Sequence, residues 1–153
     1  MTPGIVVLLV AVVAALAFGG YRALTDGRFR GTHQVRGAAG EDHPATDDGS
    51  PLVGTPFGDQ LGERATLLQF SSAFCAPCRV ARRVLGEVAS TTPGVAHIEV
   101  DAEHHLELVR RLDILRTPTT LVLAADGREI TRATGAPTRQ QVLAALAGAV
   151  DGA

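Results

Sequence analysis

The chain has 153 residues with 14 basic and 16 acidic side chains, a formal net charge of −2. That balance, with no basic stripe interleaved with aromatics, argues against nucleic acid or any strongly charged partner. Two cysteines are too few for the disulfide framework of a small secreted scaffold, so their role must be local.

From Met1 to Tyr21 no side chain is charged, and "GIVVLLVAVVAALAFGG" is apolar almost throughout. Its length approaches the roughly 20 residues a bilayer-crossing helix needs. A cleaved signal peptide would want a positive n-region, which is missing here although "ALA" at 15–17 could serve as a cleavage site. A core helix apolar on every face is rare in a domain this small. A retained single-pass anchor over 1–21 is therefore favoured. Arg22, Arg28, Arg30 and Arg36 follow the apolar run and no basic side chain precedes it, so the positive-inside rule puts the large domain in the cytoplasm, with Tyr21 as an interfacial residue.

Residues 22–56 are rich in Gly, Pro, Asp and Thr and poor in large apolar residues, which predicts a flexible tether. His33 and His43 lie in it as solvated side chains. The domain is expected over 57–153. "ATLLQFSS" at 65–72 predicts a strand, and 77–90 a helix with Val80, Val84, Leu85 and Val88 inward. "VAHIEVDA" alternates as a strand, with Ala96, Ile98 and Val100 opposite His97, Glu99 and Asp101. A helix follows with Leu106, Val109 and Leu112 on one stripe, then Pro118 and the apolar run "TTLVLA". Asp126-Gly127 predicts a tight hairpin into "EITRAT". The last helix starts at Thr138 as N-cap, with Leu143, Leu146 and Val150 inward. A β-α-β crossover followed by a hairpin and a helix predicts a three-layer α/β domain with a mixed central sheet.

Cys75 and Cys78 fall where the first strand gives way to its helix. A helix start aims unsatisfied N–H groups and a partial positive charge outward, which stabilises a thiolate. Pro77 is tolerated in a first turn. Residues three apart share a helical face, so the sulfurs can close a disulfide over a very short loop. A loop that short restrains little chain entropy, so a reactive, reversible disulfide is a better reading than a staple. Cys75, at the start of the turn, would attack, and Cys78, one turn inward, would resolve. Arg79 adds positive charge nearby; Arg82 and Arg83 read as a solvated face.

Phe74-Cys75-Ala76-Pro77-Cys78-Arg79 resembles the thioredoxin active site, which runs aromatic-Cys-Gly-Pro-Cys-basic at a strand-to-helix junction. "RLDILRTPTTLVLAADGREITRATGA" is similar to the family's later segment, Pro118 matching its cis-proline and Gly135 the glycine after its last strand. The resemblance covers about 60–150 and implies a thioredoxin-like fold and thiol-disulfide exchange without a cofactor other than the Cys75–Cys78 disulfide. It also implies a peptide-binding surface of Phe74, Pro77, Thr117, Pro118 and Gly135, with the Thr117 backbone pairing with an extended substrate.

There are departures. Phe74 replaces the usual Trp and Ala76 the usual Gly. Gln69 stands where the family places a buried Asp, and His97 matches that residue's Lys partner. Two readings of Gln69 and His97 stand open: they replace the pair, with His97 assisting Cys78 through a water, or His97 is a hydrogen-bonded structural histidine, which is the favoured of the two. The family's N-terminal strand and helix are not evident, leaving one sheet face thinly covered.

The reading that follows is a membrane-tethered, monomeric thiol-disulfide oxidoreductase. It would act as a reductant on protein disulfides and be recharged by an upstream electron donor. With reversed topology the same site would serve outside the membrane, in cytochrome maturation or disulfide isomerisation. A Cys-x-x-Cys metal module is disfavoured, because structural zinc wants four protein ligands and His104 and His105 are remote in sequence. A domain that has lost its chemistry is disfavoured by the retention of both cysteines and Pro118.

Overall fold

The computed structural model describes residues 3–25, 29–31 and 50–150, with side chains described for 3–21 and 50–149. His33, His43, Arg28, Arg36 and residues 32–49 of the expected tether lie outside the described residues, as do the side chains of Arg22, Arg30 and Val150. The chain begins with helix α1, Pro3–Thr25. Its Pro3–Tyr21 stretch is long and apolar enough to cross a membrane and is buried nowhere against the protein.

A five-stranded mixed sheet has the spatial order β1-β5-β4-β2-β3. Its strands are β1 (Phe29–Gly31), β2 (Ala65–Ser71), β3 (Val95–Asp101), β4 (Thr119–Ala124) and β5 (Glu129–Thr134). β2 runs parallel to β3 and antiparallel to β4. It is buried along its whole length, which suits a near-continuous apolar run at the centre of a sheet. The crossover from β2 to β3 is helix α2, Ala76–Thr91. A short helix α3, Leu106–Arg111, precedes β4, and α4, Arg139–Val150, closes the domain.

The sheet separates two apolar layers. On one side Leu67 and Val122 pack beneath Leu85 and Val88 of α2 and Val142 and Leu146 of α4. On the other, Phe70, Val100 and Leu121 are covered by Leu52, Leu108 and Ile114. Among the described residues this second layer consists of the six-residue α3 and the turns around 51–60.

The hairpin at Asp126-Gly127 forms as predicted. Gly127 has φ +84°, and the Gly127 N–H donates to the Ala124 carbonyl at 2.9 Å. Thr138 and Gln141 make a reciprocal cap at the start of α4: the Thr138 N–H donates to Gln141 Oε1 (2.8 Å) and the Gln141 N–H to Thr138 Oγ1 (3.3 Å).

Several sequence expectations need correcting. α2 buries Cys78, Ala81, Leu85 and Val88 and leaves Val80 exposed. α3 covers only half of the expected helix and buries Leu108, while Leu106 at its first position is exposed. In α4 the inward residue is Val142, and Leu143 points outward. Where adjacent positions are both apolar, hydrophobicity leaves the helical phase open, and the close approach of α2 and α4 to the sheet favours the stripes that carry alanine.

Within the expected tether over 22–56, several described residues belong to ordered structure. α1 continues to Thr25, β1 adds an edge strand paired with β5, and Leu52 is fully buried in the core. A single leucine in a Gly- and Pro-rich stretch gives no periodic signal, yet buried it contributes about 2 kcal/mol.

Candidate functional site

Cys75 occupies the N-cap position of α2 with extended backbone (φ −105°, ψ 98°), and Pro77 sits in the first turn, where no intrahelical partner is lost. The Cys78 N–H, one of the helix's unpaired donors, points at Cys75 Sγ, 3.1 Å away. The two cysteines form a disulfide with their Cα atoms 5.2 Å apart. Cys75 is half-buried, whereas Cys78 is 1% exposed. Phe74 is fully exposed, and Ala76, Pro77 and Arg79 are exposed beside it.

Pro118 follows a cis Thr117-Pro118 bond at the start of β4. The pairing of Phe70 with Thr119 places that loop at the same end of the sheet as the chain leading to Cys75. Ser72 Oγ and Thr117 Oγ1 are 3.0 Å apart, tying the cysteine loop to the proline loop. Gly135 (φ +89°) donates its N–H to the Pro118 carbonyl at 2.8 Å. A side chain there would be strained, which accounts for glycine at this turn. Phe74, Cys75, Pro77, Thr117, Pro118 and Gly135 are thus brought to one end of the domain. The Ser72 contact was not read from the sequence, since a serine after a strand carries no signal of its own.

Below the disulfide lies a polar cluster on the α2 side of the sheet. Gln69 is fully buried. Its Nε2 donates to Ser71 Oγ (2.7 Å) and to the Cys78 carbonyl (3.0 Å), and its Oε1 lies 3.1 Å from His97 Nε2. Because the amide nitrogen is committed to two acceptors, Oε1 must accept from His97, which fixes a proton on Nε2. Burial pushes the His97 pKa below its ordinary value and Arg82 acts in the same direction, while Glu99 opposes them. The ring is therefore neutral at pH 7. The expected Gln69–His97 pair exists, but it meets Cys78 through the backbone carbonyl.

Glu99 sits directly opposite Gln69 in the β2–β3 register. Burial alone would raise its pKa; hydrogen bonds from Arg82 and Ser71, with the charge of Arg82, outweigh this and hold the carboxyl below its ordinary value. Arg82 reaches it at 2.6 Å, so Arg82 is an ion-pair partner and not merely part of a solvated face. The sequence placed Glu99 on the correct strand face but gave no reason to connect it to Arg82, 17 residues earlier. A cavity of about 250 Å³ opens beside this pair, lined by Ser71, Ser72, Ala73, Arg82, Glu99 and Asp101. A larger recess of about 540 Å³ lies along α3 and contains neither cysteine. Among the described residues no group of three or more His, Cys, Asp or Glu side chains is placed to hold a metal ion.

A partly exposed cysteine at a helix start, bonded to a buried one a turn inward, is suited to exchanging disulfides with a second molecule. Comparison with known proteins agrees. Thioredoxin H4-1 of Oryza sativa subsp. japonica is 31% identical over 86 residues, 55% of this chain and 65% of its own length. The thioredoxin of Chlamydia trachomatis is 26% identical over 87 residues, 57% of this chain and 84% of that protein. This chain thus spans just under two thirds of the rice relative. Among solved structures, Fasciola hepatica thioredoxin superposes with a TM-score of 0.53 at 22% identity, over 60% of this chain and 86% of that one. A mutant thioredoxin from Halobacterium salinarum gives 0.54 at 19% identity, over 57% of this chain and 76% of that one. These two establish the fold. The thioredoxin family model matches residues 51–148, which begins one residue before the buried Leu52. On the match, the fold and the cysteine pair together, the chain belongs to the thioredoxin family.

Proposed function

We propose that this protein is a membrane-tethered thiol-disulfide oxidoreductase that reduces protein disulfides through Cys75 and Cys78, its soluble domain facing the cytoplasm. The observation that carries this reading is the asymmetry of the pair, with Cys75 half-exposed at the N-cap of α2 and Cys78 buried one turn inward. In the reduced protein the Cys75 thiolate, favoured by the helix N-terminus, attacks a substrate disulfide. One substrate sulfur leaves and a mixed disulfide forms. Cys78 then attacks Cys75 Sγ, releasing the second substrate thiol and closing the intramolecular disulfide. A dithiol donor is needed to reset it.

Phe74, Pro77, Thr117, cis-Pro118 and Gly135 form the surface that receives an extended substrate segment, as their common placement at one end of the sheet supports. Gln69, with His97 behind it, positions the first turn of α2 by holding the Cys78 carbonyl. Apolar α1 and the arginines after it support the anchor and its orientation.

Trapping with Cys78→Ser in intact cells tests this reading. Mixed disulfides on Cys75 with cytoplasm-facing proteins are expected, and they should be absent in Cys75→Ser. Recovery of exported proteins alone would overturn the orientation, and recovery of none the activity.

A further inference from the structure

β1 enters the sheet at the cysteine end. Phe29, its first residue, pairs with Ala133 and Gly31, its last, with Thr131. The late residues of β5 lie at the end that bears the site, since Thr134 opposes Thr119 and Gly135 bonds to Pro118. The chain therefore arrives from α1 at the end of the domain that carries the disulfide, and β1 runs away from it.

The connection is short. α1 ends at Thr25 and β1 begins at Phe29, and four Cα–Cα steps span at most about 15 Å. The helix beyond Tyr21 adds about 6 Å of rise. β1 and β2 are three strand spacings apart in the order β1-β5-β4-β2, about 14 Å sideways. A flexible tether over 22–56 would instead have let the site wander roughly 30 Å on average and much farther at full extension. The same end of the domain carries fully exposed Phe74, highly exposed Leu115, and the exposed cations Arg79 and Arg116. The carboxylates of Asp101 and Glu103 stand at this end too, so the charge around the tip is mixed, and it is exposed Phe74 and Leu115 that suit the headgroup layer of a membrane.

We infer that the disulfide is held facing the bilayer surface and that its substrate is a disulfide of an integral membrane protein in or just above the headgroup layer, on the side where α1 ends. This rests on the reading of the chain as an anchored oxidoreductase. The electrons balance as in any exchange of this kind: the membrane partner gains two electrons and two protons, and this chain is left as the Cys75–Cys78 disulfide.

The full-length protein, reduced with dithiothreitol, desalted and reconstituted in phosphatidylcholine–phosphatidylglycerol vesicles, provides the test. Two single-span peptide probes carry the same disulfide-bonded cysteine pair, one at headgroup depth and one on a long hydrophilic stalk. The native chain should reduce the headgroup-depth probe at least roughly tenfold faster, and a Gly/Ser insert of about 30 residues at Gly27 should erase that preference. Equal rates for the two probes, or a preference that survives the insert, would overturn the placement. Soluble insulin should be reduced by both proteins. Failure of both on insulin would overturn the oxidoreductase reading itself, and release of the chain by alkaline carbonate would overturn the anchor.

Discussion

Replacing Gln69 by Leu removes three hydrogen bonds at once: the buried ones to Ser71 Oγ and to the Cys78 carbonyl and the part-buried one from His97 Nε2. Each contributes about 1 kcal/mol net, so the polar loss is about 3 kcal/mol. The consequences for the partners differ. Cys78 lies inside α2, so its carbonyl keeps a helical acceptor role, and Ser71 still has Glu99, but the His97 N–H is left half-buried without its acceptor. The more apolar leucine recovers about 1 kcal/mol, giving a net destabilisation of about 2 kcal/mol. For a domain of about 100 residues this lowers Tm by about 10 °C. The measurement is thermal unfolding of the oxidised full-length protein in detergent, followed by circular dichroism. A drop below about 3 °C, or a rise, would show that the amide does not hold the first turn of α2 and would refute the reasoning.

Other predictions follow from the same contacts. Because folding lowers the His97 pKa, the unfolded chain binds the proton more tightly. The contribution of His97 is fully present above its unfolded value of about 6.5 and is lost as pH falls through the folded value. His97→Gln, which can still donate to Gln69, should flatten the loss of stability between about pH 7 and pH 5 in denaturant titrations. Leu52→Ala should cost about 3 kcal/mol, and removal of residues 1–56 a similar amount, measured by urea unfolding; no change in either would return Leu52 to the tether. Gly127→Ala meets both a positive φ and the Ser50 side chain, so a loss of at least about 1 kcal/mol is expected in the same assay. Arg82→Ala removes an ion pair whose arginine is more than half exposed, and should cost less than about 1 kcal/mol.

What is local or periodic is legible in the residues. The apolar run of α1, the alternation of β3, the Asp126-Gly127 turn and the cysteines at a strand-to-helix junction are each written within a few residues, because one backbone geometry satisfies each pattern. Pro118 and Gly135 were legible only through their likeness to a family pattern, since neither a proline nor a glycine names its partner. What depends on juxtaposition emerges only when the elements pack. Glu99 and Arg82 meet because the crossover between the parallel strands β2 and β3 lays α2 against β3. Leu52 becomes core because the thin face of the sheet has apolar surface to cover. The three residues of β1 carry too little side-chain pattern to announce a strand; their pairing is with the backbone of β5, and any sequence can make backbone hydrogen bonds. That pairing, invisible in the residue types, is what sets the cysteine end of the domain beside the end of α1.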